Sequence, residues 1–312
     1  MHTPDEIFKM LSDSKLPYEI ELLNKTIPCP DRSENVIGHN YYRKKTDAGL
    51  TLYKFSINKK AKPLFDKAEF FFQSKMPDSA LVYYRLALNA DTSLYYVITY
   101  IGQIYEMKKE MDKAMEWYKK AIDKNYIDYM AHWFLADAYA GQNKLKKATN
   151  EIVLARILNR NNPRIKASMQ TIFEKSGRDT TDWCFQPQMQ ISKSTDKITI
   201  ATSKKWMGYA LAKALWLYEP GYRKSMGVTG NVSTLEEKEC LFSLLVALKN
   251  AKTDTKNDPA LYTLQNAVKH KEFNAYLLYE VMLPRYPIIA SQLPKSTLLE
   301  IRDYVLKTRN KK

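Results

Sequence analysis

The sequence predicts a mostly all-α chain: a solenoid of helix–turn–helix repeats, a helical C-terminal domain and a small β element. Three observations carry this. Ala80, Ala114 and Ala148 lie 34 residues apart, a spacing that marks stacked helical pairs. The residues around them repeat in phase. Tyr84, Tyr118 and Ile152 follow at four residues, and Ala87, Ala121 and Ala155 at seven. Phe71, Tyr105 and Tyr139 precede at nine, and Ala68, Gly102 and Ala136 at twelve. Short side chains let two helices approach, and the aromatics fill the space beside each contact. From Ser203 onward helical spacing returns without the 34-residue pattern.

The elements follow in order. Residues 5–11 read as a short amphipathic helix. Residues 16–36 contain Pro17, Pro28 and Pro30 and read as irregular. Residues 39–57 alternate weakly around Asp47-Ala48-Gly49. They fit a hairpin with a three-residue turn, or a helix leading into the first repeat. Three units then run from Ala61 to Leu94, Tyr95 to Asp128 and Tyr129 to Asn162. No such unit buries its own apolar face, so neighbours must stack. Ile165, Met169, Ile172 and Phe173 keep helical spacing as far as Gly177 and predict a capping helix. Residues 196–202 alternate as a strand does. Helices are expected over 203–218, 233–250, 259–269, 271–283 and 296–308. Ser233 with Glu236 has capping-box spacing, Asp258-Pro259 reads as an N-cap with proline at the first position, and Ser296 is placed to cap the last helix. The expected division is an N-terminal segment 1–60, a repeat region 61–177 and a C-terminal domain 178–312.

The repeat resembles the tetratricopeptide repeat family. The family's first-helix tryptophan position holds Leu64, Ile98 and His132. Its late proline position holds Thr92, Tyr126 and Arg160, and Pro163 lies just past unit three. The resemblance implies protein or peptide binding on a concave face lined by the first helix of each unit. Carried over position by position, that face comprises Lys62, Phe65, Asp66, Glu69, Phe72 and Gln73 in unit one. Unit two contributes Tyr96, Thr99, Tyr100, Gln103, Glu106 and Met107, and unit three Met130, Trp133, Phe134, Asp137, Ala140 and Gly141. Aromatics and acids dominate, which suggests a partner with apolar anchors and basic character. The groove is either open or filled by the chain's own flanking segments. The family's chaperone-binding members hold a terminal carboxylate with Lys, Asn and Arg. Those positions here hold Phe65, Glu69, Tyr100, Met130 and Phe134, so acidic chaperone tails are disfavoured.

Composition narrows the rest. The net charge is +15 over 312 residues, concentrated in the C-terminal half. That favours acidic or nucleic-acid partners in general, but basic chains are often simply lysine-rich and soluble, so nucleic acid stays a secondary alternative. No apolar run approaches the roughly 20 residues of a membrane helix. The opening MHTPDEIFKML is not a secretory signal. Cys29, Cys184 and Cys240 are scattered and suggest neither a disulfide framework nor a metal site. A cytoplasmic location is the expectation, with export lacking an N-terminal apolar signal as the alternative. His2, His39, His132 and His270 lie far apart, without ligand spacing, and His132 reads as packing. No phosphate loop or nucleophile elbow is present, and no cofactor is expected. One hydrolase alternative remains. Residues 204–227 place Glu219 at the end of an apolar helix before Pro220, a loose resemblance to lytic transglycosylases that would make it a general acid. The bland alternative has Glu219 capping a turn or pairing with Arg223. The leading expectation is an interaction adaptor.

Overall fold

The computed structural model describes residues 1–46, 49–230 and 232–311. In chain order these form α1 (Pro4–Ser12), β1 (Tyr18–Leu22), β2 (Tyr41–Thr46), β3 (Gly49–Lys54), α2 (Lys62–Gln73), α3 (Pro77–Ala90), α4 (Tyr95–Met107), α5 (Met111–Lys124), α6 (Tyr129–Gly141), α7 (Leu145–Leu158) and α8 (Pro163–Lys175). There follow β4 (Met189–Lys193), β5 (Ile198–Thr202), α9 (Met207–Tyr218), α10 (Tyr222–Ser225), α11 (Thr234–Asn250), α12 (Pro259–Lys269), α13 (Phe273–Tyr276), α14 (Leu283–Arg285) and α15 (Lys295–Tyr304). Residues 39–57 form the hairpin, not the helix. Its expected turn at Asp47-Ala48 lies outside the described residues. The chain divides into two compact units, and not at residues 60 and 177. One unit joins Asp31–Thr181 to Met282–Lys312, and the other joins Met1–Pro30 to Asp182–Val281.

The first unit is the solenoid, with pairs α2–α3, α4–α5 and α6–α7 stacked in order and α8 closing the stack. The repeated alanines, Ala80, Ala87, Ala114, Ala121, Ala148 and Ala155, are all completely buried. Gly102 shows why the earlier small position stays small. A Cβ there would stand 2.5 Å from the Tyr118 ring. The pair α4–α5 therefore closes only because one partner has no side chain.

Each first helix ends in the same way. Lys75, Lys109 and Asn143 adopt left-handed backbone, at φ 56°, 61° and 56°. The next residue then returns its N–H to the helix: Met76 to Phe71 O, Glu110 to Tyr105 O and Lys144 to Tyr139 O. This Schellman closure usually takes glycine. Gly177 provides it after α8, where Arg178 N–H reaches Phe173 O. The capping helix is thus a fourth first helix.

The hairpin segment is laced to the opposite turns. Asp91, Asn125 and Asn159 occupy one repeat position, each just past a second helix. Asn159 exchanges two hydrogen bonds with the backbone of Ile37 (3.0 and 3.1 Å), and Asn125 donates to Tyr41 O (2.9 Å). Asp91 accepts from Asn58 N–H (3.3 Å). The segment therefore runs antiparallel to the stacking order. Within the same unit α15 packs on α7, so residues past 282 return to the solenoid. Ser296 lies inside α15 and does not cap it.

The second unit is built around α9 and α11. Gly208 marks their closest approach, since a Cβ would meet Ser243 O at 2.6 Å. A three-stranded sheet has β5 in the centre, with β1 parallel and β4 antiparallel. β1 corrects the irregular reading of residues 16–36. Ile198, Ile200 and Thr202 point inward, as the alternation of 196–202 requires. Cys29 and Cys184 are joined by a disulfide across 155 residues, which corrects the expectation of unpaired cysteines. Cys240 is a buried free thiol.

Two tests follow from these elements. Lys109→Gly should keep or raise the melting temperature, because glycine removes the left-handed strain. Lys109→Ile should lower stability by about 1–2 kcal/mol. Thiol titration should find no reactive cysteine in the folded protein, one after denaturation without reductant and all 3 after reduction.

Candidate functional site

The expected groove residues sit on α2, α4 and α6, and the second helices organise them. Tyr84 of α3 contacts Phe65, Phe72 and Tyr100, with centroids 6.1, 6.4 and 5.8 Å apart, and its hydroxyl donates to Glu69 Oε1 at 2.5 Å. Tyr118 of α5 repeats the arrangement. Its ring lies 5.7 Å from Phe134 and its hydroxyl donates to Glu106 Oε2 at 2.6 Å. Both tyrosines are buried and their hydroxyl pKa values are pushed up, first by burial and then by these carboxylates. They stay protonated and donate to these carboxylates. Sequence reasoning treated them as core. Glu69 lies 15 residues before Tyr84 and Glu106 lies 12 before Tyr118, so no shared spacing marked these pairs in the sequence.

Asp137 accepts from Ser168 Oγ of α8 at 2.5 Å. Desolvation by the groove walls raises its pKa, the Ser168 hydrogen bond opposes this and the like charge of Glu106 adds to the rise. Trp133 stacks on Phe134 at 5.3 Å. Asp66 is exposed and pairs with Lys62 at 2.9 Å, one turn away. Gln103 and Met130 are half-buried on the same helices.

The two ends of this face differ. At Tyr96 and Tyr100 the laced hairpin segment covers it. Phe55 lies 4.7 Å from Tyr96, and His39 sits within 6.0 Å of Tyr96, Tyr100 and Tyr129. Burial pushes Tyr96 up to about 12, with Glu69 and Asp91 adding to it. His39 Nε2 pairs with Asp128 Oδ1 at 2.5 Å, and Thr99 donates to Asp128 Oδ2 at 2.7 Å. Asp128 is also the N-cap of α6, accepting from Ala131 N–H. Burial acts to raise its pKa, but the His39 charge and three hydrogen bonds outweigh it and the net shift is downward. Around Phe72, Gln103, Glu106, Trp133, Phe134 and Asp137 no hairpin residue stacks on the rings, among the described residues. His132 is buried between Glu151 Oε2 (2.6 Å) and Tyr126 O (3.1 Å), as packing predicts.

In the second unit Glu219 ends α9 and accepts from Ser14 Oγ (2.7 Å) and Tyr18 OH (3.2 Å). It does not pair with Arg223, which turns to Glu236. Nor does Glu236 close a capping box with Ser233, because Lys213 and Arg223 hold its carboxylate. Glu239 is fully buried and takes hydrogen bonds from His2 N–H, Trp216 Nε1 and Tyr222 OH, each at 2.7 Å. Glu237 takes Lys213 at 2.8 Å and Tyr209 at 2.5 Å. These acids are consumed by neighbours on α9, α10 and the N-terminal segment, as buried charges require. No helix is long and apolar enough to cross a membrane, and no group of metal-binding residues forms among the described residues.

No family model matches the chain, and no curated protein matches it. Among solved structures, the first tetratricopeptide domain of Spaghetti (RPAP3), bound to the HSP90 peptide SRMEEVD, is similar at 20% identity and a TM-score of 0.37. It covers 39% of this chain and 99% of that one. The tetratricopeptide domain of Arabidopsis OM64 is similar at 14% identity and a TM-score of 0.35, covering 37% and 96%. A tetratricopeptide repeat protein of Parabacteroides merdae is similar at 13% and 0.29, covering 79% and 99%.

Asp128 gives a pH test. Its folded pKa is depressed, so its contribution is complete above the unfolded value near 4 and is lost as pH falls through the folded value. Asp128→Asn should cost on the order of 3 kcal/mol at neutral pH. The difference between variant and wild type in denaturant titrations should shrink as pH falls below the unfolded value near 4.

Proposed function

We propose that the chain is an interaction adaptor that binds a protein or peptide segment on the face shared by α2, α4 and α6. The observation that supports this best is the pairing of half-exposed aromatics with carboxylates held by buried tyrosine hydroxyls. Binding belongs to Phe72, Gln103, Glu106, Trp133, Phe134 and Asp137. The Tyr96–Tyr100 end, with Phe65 beside it, is occupied by the chain's own His39 and Phe55. Glu106 and Asp137 give the open end a negative potential, so the partner carries Lys or Arg beside an apolar anchor. The carboxylate-clamp positions hold Phe65, Glu69, Tyr100, Met130 and Phe134, which supports the exclusion of acidic chaperone tails. Nucleic acid is disfavoured for the same reason of charge.

The Cys29–Cys184 bridge favours an oxidising compartment over the cytoplasm, because such bonds persist where thiols are not kept reduced. The hydroxyl partners of Glu219 favour an anchoring role for it over general-acid chemistry.

Affinity capture from the source cell tests this reading, with wild type compared against Trp133→Ala and Glu106→Gln. Loss of the aromatic anchor should weaken partner binding by about 2 kcal/mol or more, with circular dichroism unchanged. Binding should also weaken on acidification before ordinary aspartates titrate, because the Asp137 pKa is raised. Equal capture by wild type and Trp133→Ala would move the site off this face.

A further inference from the structure

A second concavity lies where the solenoid stack ends. It encloses about 250 Å³ and is lined by Leu145, Lys146, Thr149, Lys175, Ser176 and Arg178. The linings come from the first two turns of α7 and from the end of α8 with the residues after it. Three cations share one small hollow, and among the described residues none of them forms an ion pair. Lys175 has Asp137 of the groove in its field and no direct acidic contact.

Arg178 is placed by the fold. The left-handed Gly177 turns the chain back, and Arg178 N–H closes on Phe173 O. The guanidinium lies 5.9 Å from the Phe173 ring centroid. Its Nη1 donates to Leu306 O (2.6 Å) and Asn310 O (3.3 Å). Asn310 in turn donates to Asp179 O at 2.8 Å. Both acceptors are neutral carbonyls, so the positive charge is positioned without being neutralised. Nε and Nη2 keep their donors. Thr149 spends its hydroxyl proton on Lys146 O at 3.0 Å.

We infer that this hollow is a binding site for the oxyanion group of a ligand, a carboxylate or a phosphate. A guanidinium held by backbone carbonyls beside two exposed lysines is suited to planar or tetrahedral oxygens. The hollow falls below the roughly 300–1,000 Å³ of pockets that bury drug-sized ligands, so it takes a head group and leaves the rest of the ligand outside. Leu145 and the lysine stems supply an apolar wall for the atoms next to the anion. The site shares no residue with the proposed peptide face, and it stands or falls independently of that reading.

The test is a titration of the full chain followed by amide NMR at Thr149, Ser176 and Arg178. The probes are inorganic phosphate, N-acetylalanine and its neutral amide, at matched ionic strength in chloride because screening alone moves surface lysines. Saturable shifts at these amides with phosphate or N-acetylalanine, and none with the amide, are expected. The tighter of the two anions identifies the ligand's head group. Lys146→Gln with Lys175→Gln removes two exposed charges and should weaken binding at least about tenfold. Arg178→Lys should retain part of the affinity while Arg178→Gln loses it. Absence of saturation with both anions would overturn the assignment, as would equal affinity of the double lysine variant.

Discussion

The structure rests on the contact between a small residue on the first helix of each pair and a large one on the second. Where Gly102 meets Tyr118, even a methyl group would collide with the ring. That closeness lets Tyr118 cross the pair and emerge at Glu106, and Tyr84 reaches Glu69 in the same way. One packing contact thus sets the interhelical distance and also fixes a carboxylate on the exposed face. In unit three Ile152 occupies the tyrosine position and is fully buried. The carboxylate there, Asp137, is held by Ser168 of the capping helix instead. The capping helix therefore completes the face as well as covering the stack.

The hairpin segment makes the second dependence. Asp91, Asn125 and Asn159 recur once per repeat and satisfy backbone groups of residues 58, 41 and 37. The polar groups of an irregular segment are expensive to bury unpaired, so three regularly spaced acceptors and donors make its path affordable. The result divides the face. His39 enters a box of Tyr96, Tyr100 and Tyr129 and meets Asp128, and among the described residues no hairpin residue stacks on the partly exposed aromatics of the other end.

Much of the repeat was legible because a period of 34 residues brings the same contact back. Ala80, Ala114 and Ala148 declare themselves by size alone, and the groove positions follow from their register. The turns were less legible, since Lys75 and Lys109 adopt a conformation that sequence reading reserves for glycine. The site was only half legible. Its aromatics and acids could be named, but Tyr84 and Tyr118 read as core because their hydroxyls act at the far end of a buried ring. Contacts between distant segments left no local trace. The Cys29–Cys184 bridge, the pairing of β1 with β5 and the His39–Asp128 pair each join residues far apart in sequence. Glu236 read as half of a capping box with Ser233, and it is instead buried with Glu237 and Glu239 among Lys213, Arg223, His2 and three aromatic donors.

Selection from a random peptide library tests the central claim most directly, because it asks what chemistry the face prefers without assuming a partner. The full chain, with its disulfide intact, should enrich segments that place Lys or Arg within a few residues of an aromatic or large aliphatic side chain. The enrichment should disappear when Glu106 and Asp137 are both replaced by their amides. Enrichment of acidic peptides with free carboxy termini, or an enrichment indifferent to those two replacements, would contradict the account.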